Sequence, residues 1–220
     1  MAHRRMTRII AIDGPAGSGK SSVSKEVARR LGFGYLDTGA AYRALAWAWT
    51  SGITNELDTN PIKALESFDY SISLDPSNYW VKVGATDVTA EIRSNQVAER
   101  VSEVARIPEV RNFMKILTRK LVEESGFDGV VVEGRDITTV VLPDAQVRLL
   151  LTASEAVRLK RRASELTSED ATKVARQVSE RDALDLKVID FMTPADGVAL
   201  VDSTDLDFEQ TVRAVLDLIR

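Results

Sequence analysis

Gly14-Pro15-Ala16-Gly17-Ser18-Gly19-Lys20-Ser21 is the stretch on which the reading of this chain turns. It fits the pattern G-x-x-x-x-G-K-[ST] at every position. Ahead of it, Thr7 to Asp13 is a short apolar run of strand length that closes on an aspartate. Behind it, Lys20 to Leu31 carries apolar residues at Val23, Val27, Ala28 and Leu31, the spacing of an amphipathic helix. In a strand, glycine loop and helix of this kind, successive backbone N–H groups can converge on phosphate oxygens. The helix N-terminus adds its positive dipole. The pattern therefore predicts that residues Gly14, Pro15, Ala16, Gly17, Ser18, Gly19, Lys20, Ser21 and Ser22 hold the phosphates of a nucleoside triphosphate. Lys20 would reach the β- and γ-phosphates, and the Ser21 hydroxyl would be a ligand of the bridging Mg²⁺.

Working outward, Phe33 to Leu36 reads as a second strand, Asp37-Thr38-Gly39 as a turn, and Ala40 to about Thr50 as an alanine-rich helix on which Trp47 and Trp49 are expected to pack into the core. Phe68 to Leu74, Tyr79 to Gly84 and Thr86 to Ile92 read as three short extended runs, a small antiparallel insertion. Ser94 to Glu124 is helical with a break near Pro108, and Gly129 to Glu133 is an apolar strand ending in a carboxylate. Val147 to Leu151 is another strand, Ser154 to roughly Asp185 a long charge-rich helical stretch, Val198 to Val201 a last strand, and Asp207 to Ile219 a closing helix. Strands separated by helices predict an α/β fold with a parallel sheet covered on both faces.

The 220 residues suffice for one α/β core with a small insertion. The 29 Lys and Arg against 33 Asp and Glu give a net charge of -4, which offers no bulk attraction to nucleic acid or anionic lipid. Cysteine is absent and the one histidine is His3, so thiolate metal sites, Cys nucleophiles and His-based triads are excluded. The apolar run Ile9 to Ile12 is too short for a signal sequence or membrane span, and a soluble, cytoplasmic, monomeric protein is the expectation.

The phosphate loop leaves open what is done with the nucleotide. No Asn-Lys-x-Asp is present to read guanine. Thr38 lies just past the second strand and Arg43 on the first turns of the next helix, so a hydroxyl and a guanidinium could share one phosphate. Arg43 taken alone reads equally as a surface ion-pair partner. In Glu133-Gly134-Arg135-Asp136, Glu133 could hold Mg²⁺-bound water, Arg135 a phosphate and Asp136 an amino group, or the tetrapeptide could be a plain turn.

These residues, together with Ile12-Asp13 before the loop, Leu36-Asp37-Thr38-Gly39 with Tyr42-Arg43, Gly134-Arg135-Asp136 with Thr139-Val140-Val141, and Glu180-Arg181-Asp182 with Asp185, make the chain resemble the bacterial cytidylate kinases over essentially its whole length. That resemblance implies a P-loop nucleoside monophosphate kinase fold, with a five-stranded parallel sheet, an antiparallel insertion in the monophosphate-binding region and a helical lid. It implies a single kinase domain over 1–220, with its core at about 6–61, 94–154 and 186–220, the insertion at about 62–93 and the lid at about 155–185. The implied reaction is transfer of the γ-phosphoryl group of MgATP to CMP or dCMP. The implied partners are small molecules alone.

By the same resemblance Thr38, Arg43 and Arg135 would hold the monophosphate, and Ser102, Arg111 and Asp136 would surround the cytosine. A carboxylate suits the N4 donor, and arginine with hydroxyl suits the O2 and N3 acceptors. Arg181 and Asp185 would meet the sugar, or form an ordinary intrahelical ion pair. The metal would be held by Ser21 and, through water, by Glu133 and Asp37. Lys20, Arg135, Arg161 and Arg162 would be catalytic, with Arg158, Arg161 and Arg162 on a lid helix whose alternative reading is a solvated face. Val188 stands where relatives carry an arginine, with Lys187 as a neighbouring point charge. Glu133 stands where relatives often carry aspartate. A kinase for UMP, shikimate or a nucleoside, and a nucleotide-dependent regulatory module without an acceptor, remain the alternatives.

Overall fold

The computed structural model describes residues 7–165 and 191–219. A five-stranded sheet is built from β1 (Arg8–Asp13), β2 (Gly34–Asp37), a strand at Gly129–Gly134, one at Val147–Thr152 and one at Ala199–Asp202. Three short strands, Tyr70–Ile72, Val81–Val83 and Thr86–Asp87, form a separate antiparallel sheet. In chain order these three are β3, β4 and β5, and the later strands of the large sheet are β6, β7 and β8. The large sheet has the order β2-β6-β1-β7-β8, with β1 parallel to both β6 and β7 and β7 parallel to β8. All six residues of β6 are buried, as are the last four of β1. Continuous burial of alternating side chains requires cover on both faces, which is the doubly covered parallel sheet expected from the sequence.

The chain forms two compact units, Met1–Tyr35 with Phe127–Arg220, and Leu36–Gly126. In the first unit α1 (Lys20–Leu31) packs against β6 and against the C-terminal helix Phe208–Ile219. Its last turn is joined to that helix by Arg30, which bonds both Glu26 and Glu209. Glycine at 32, with φ 66°, ends α1 in a left-handed cap.

The second unit is organised around α2 (Thr38–Thr50). Its buried face is Ala40, Ala41, Ala44, Leu45, Ala46 and Ala48, and these small side chains let neighbouring backbone come close. Around it pack α4 (Asn95–Val104), α5 (Pro108–Glu123), β4 and the short 3₁₀ turn Glu91–Arg93; a short helix, α3 (Pro61–Glu66), packs on α5. Pro108 sits at the start of α5, where its missing N–H costs nothing, and Ser94 caps α4. Two expectations are corrected here. Trp47 and Trp49 are half-buried, not core, because the alanines already fill the inner face and leave no volume for an indole. Trp49 instead lies under the Arg100 guanidinium at 5.2 Å. The third extended run, Thr86 to Ile92, is strand only at Thr86–Asp87 and ends as the 3₁₀ turn. Asp87 turns the chain by accepting from Thr89.

The long helical stretch after Ser154 is described as α6 (Glu155–Glu165). Arg181, Asp185, Lys187 and Val188 lie outside the described residues, as does the side chain of Arg162. The C-terminal helix Phe208–Ile219 is α7. No helix among the described residues is long and apolar enough to cross a membrane.

Candidate active site

The glycine loop runs from the end of β1 into α1. Gly17 and Gly19 adopt φ values of 75° and 85°, and Gly19 is the N-cap of α1. Only glycine takes this conformation without a Cβ penalty. The α1 N-terminus has no side-chain cap and no acidic residue in its first turn. No side chain therefore competes for this terminus, and the helix dipole favours an anion there.

When a loop turns its N–H groups inward, its carbonyls point out and need donors of their own. Here α6 supplies them. Arg158, only 6% exposed, donates from Nη1 to the Ala16 carbonyl at 2.9 Å. Arg161 donates from Nη1 to the Ser18 carbonyl at 3.2 Å and to Ser203 Oγ at 3.0 Å, and from Nη2 to the Ser203 and Leu206 carbonyls at 2.9 and 3.3 Å. The contact is close: a Cβ added at Gly17 would stand 2.5 Å from the Arg158 carbonyl oxygen. Neither arginine lies on a solvated helix face. The sequence held a usable signal for this brace, since outward carbonyls in a buried loop call for cations and 158 and 161 share one helical face.

Opposite Lys20 stands Glu133 at the end of β6. It is 1% exposed, accepts from the Tyr35 hydroxyl at 2.8 Å through Oε1, and places Oε2 4.0 Å from Lys20 Nζ. Tyr35 was not singled out from the sequence, because its partner lies 98 residues away. Next to the loop, Asp13 is 3% exposed and accepts from the Ile137 and Thr138 backbone N–H groups and from the Thr138 hydroxyl. Burial pushes the Asp13 carboxyl above its usual range. The Thr138 and Ile137 hydrogen bonds oppose that rise, and the charge of Asp136 adds to it.

Arg135 and Asp136 follow β6 and are half-buried, and the Arg135 guanidinium sits 4.5 Å over the ring of Phe191, itself 2% exposed. That stacking partner was missed, because nothing in the sequence pairs positions 135 and 191. In the second unit Thr38 opens α2 and is buried, and Arg43 is half-buried one turn on. Ser102 on α4 and Arg111 on the first turn of α5 are half-buried. Asp37 caps α2 by accepting from the Ala40 N–H at 3.1 Å, and its other oxygen is 3.8 Å from Arg93.

The Ser21 hydroxyl and the Glu133 carboxylate are hard oxygen donors of the kind that suits Mg²⁺. Ser21 is exposed at the start of α1. Ser18 Oγ, also on the loop, is buried and has no hydrogen-bond partner among the described residues.

Residues 10–220 match the model of the family described as cytidylate kinase. A cytidylate kinase from Cutibacterium acnes is 45% identical over 215 residues, covering 96% of this chain and 95% of that protein. One from Streptomyces avermitilis is 43% identical, covering 96% and 92%. Among solved structures, an uncharacterised protein from Eubacterium ventriosum superposes with a TM-score of 0.54 at 12% identity, covering 97% of this chain and 98% of that one, a likeness of fold alone. With a family match across nearly its whole length and relatives this similar, the chain belongs to the cytidylate kinase family.

Proposed function

We propose that the chain transfers the γ-phosphoryl group of MgATP to CMP or dCMP, giving CDP or dCDP and ADP, as a cytoplasmic enzyme acting on small molecules. The observation that supports the donor half most strongly is the α1 N-terminus, without a side-chain cap or an acidic residue in its first turn, entered through the left-handed Gly17 and Gly19 and opened by Lys20. Gly14 to Ser22 would hold the triphosphate, with Lys20 on the transferring group.

Phosphoryl transfer needs alignment and charge neutralisation more than a base. Lys20 supplies a fixed cation, and the buried Glu133 restrains it. Mg²⁺, held by Ser21 and through water by Glu133 and Asp37, would neutralise charge on the phosphates when bound. Thr38, Arg43 and Arg135 are the candidates for the acceptor phosphate, and Ser102, Arg111 and Asp136 for the base. Arg161 would act on the donor side by fixing the Ser18 carbonyl, with Arg162 the candidate for direct contact with the transferring group.

The test is a coupled ADP-release assay with MgATP across CMP, dCMP, UMP, cytidine and shikimate. Preference for CMP and dCMP is expected. Preference for an acceptor without a phosphate, or no turnover with any monophosphate, would contradict the proposal.

A further inference from the structure

Asp13 is a buried carboxyl, 3% exposed, whose two oxygens are both met by donors of one short stretch. Its Oδ1 accepts from the Ile137 N–H at 2.9 Å, and its Oδ2 accepts from the Thr138 N–H at 2.9 Å and the Thr138 hydroxyl at 2.6 Å. Ile137 and Thr138 are 1% and 3% exposed. Burying a carboxylate is costly unless several donors meet it, and three do so here.

The position of these bonds matters more than their number. Asp13 directly precedes Gly14 of the phosphate loop and lies in register with Gly134, the last residue of β6. Arg135 and Asp136 come next, and the single turn Ile137–Val141 begins after them, with the Val140 and Val141 N–H groups both donating to the Asp136 carbonyl. The two-residue stretch bearing the guanidinium and the carboxylate is thus pinned at one end by strand pairing and at the other by Asp13. Phe191 supports the Arg135 side chain from a third direction. An apolar pair could fill the same volume without the desolvation cost, but it would not fix the direction of two N–H groups.

We infer that Asp13 and Thr138 are positioning residues that hold the Arg135–Asp136 turn in fixed register with the phosphate loop, and so set the affinity for the phosphoryl acceptor. The inference rests on the reading above that Arg135 and Asp136 meet the acceptor. It assigns Thr138 an effect separable from donor binding, since neither its hydroxyl nor its N–H belongs to the glycine loop.

The test compares Thr138→Val, which keeps the shape and removes the hydroxyl, with Thr138→Ser, which keeps the donor. KM for CMP and kcat come from initial rates, and the Kd for MgATP from calorimetry without acceptor. Thr138→Val is expected to raise KM for CMP about tenfold, the scale of one lost hydrogen bond to a charged group, with the Kd for MgATP unchanged. Thr138→Ser is expected to restore the wild-type value. Equal effects of both variants, an equal rise in the MgATP Kd, or no change in Thr138→Val would each overturn the inference. Hydrogen exchange on the wild-type protein adds an arm independent of any variant's folding. The Ile137 and Thr138 amides are expected to exchange as slowly as those of β6, and loop-like exchange would overturn the clamp. A wild-type protein without CMP turnover would refute the proposed function instead, while slow exchange at 137 and 138 would still support the clamp.

Discussion

Replacing Arg161 with alanine separates a brace from a solvated lid charge. The guanidinium makes four hydrogen bonds, two at 2.9 and 3.0 Å to Ser203 and two longer ones to the Ser18 and Leu206 carbonyls. Ser203 is fully buried, but its carbonyl keeps the Leu206 N–H at 3.3 Å as a second donor, and the half-buried arginine lets water reach the other acceptors. Counting the one bond in buried surroundings at the scale of a charged hydrogen bond and discounting the rest for solvent access gives a loss of about 2 kcal/mol. For a chain of this size that is a fall in Tm of roughly 4–8 °C. Urea unfolding measures the loss, and MgATP calorimetry measures the accompanying weakening of donor binding as the Ser18 carbonyl is released. Arg161→Lys, which keeps the charge without the fork, is expected to recover only a minor part. A variant as stable as wild type, within about 0.5 kcal/mol, with a large fall in kcat alone, would refute the reasoning and return Arg161 to a purely catalytic role.

Gly17→Ala meets two obstacles, a left-handed φ of 75° and a backbone oxygen 2.5 Å from the new Cβ. The conformational cost alone is about 1–2 kcal/mol, and calorimetry should show MgATP affinity falling at least tenfold. Tyr35→Phe removes the hydroxyl that holds Glu133 Oε1. It is expected to lower stability by about 1–2 kcal/mol and to raise the Mg²⁺ concentration needed for half-maximal rate, both absent in a Glu133→Ala background, where no acceptor is left for the hydroxyl; additive effects in the double variant would exclude the coupling. The Glu26 carboxyl is lowered from 4.5 to about 2 by hydrogen bonds from Arg29 and Arg30. A group depressed in the folded state stabilises above its unfolded pKa, so this contribution is present above pH 4.5 and lost as pH falls through about 2. Acid titrations of stability should therefore be shallower for Glu26→Gln across that window, and 1 M salt should shrink the difference because the pair is exposed.

The parts of the fold legible in the sequence are those set by neighbours along the chain. The helix expected at Lys20–Leu31 has those bounds in the structure, because a glycine loop fixes its start and Gly32 its end. The glycine loop itself is a local pattern, and so is the α4–α5 break at Pro108. What could not be read depends on contacts far apart in sequence. Asp13 with Thr138, Tyr35 with Glu133, and Arg161 with Ser203 are 125, 98 and 42 residues apart, and no local period announces them. The tryptophans were misplaced for a related reason. Apolar character places a residue on the inner face only when the volume there is not already taken, and on α2 the alanines had taken it.

The central claim is that main-chain amides and Lys20 grip the triphosphate whose terminal group moves to a cytidine monophosphate. Following conversion of CMP to CDP by ³¹P NMR, with wild type and Lys20→Ala at equal concentration and matched circular dichroism, tests it most directly. The account predicts CDP formation by the wild type and a rate lower by orders of magnitude for the variant. Near-normal CDP formation by a folded Lys20→Ala protein would contradict it.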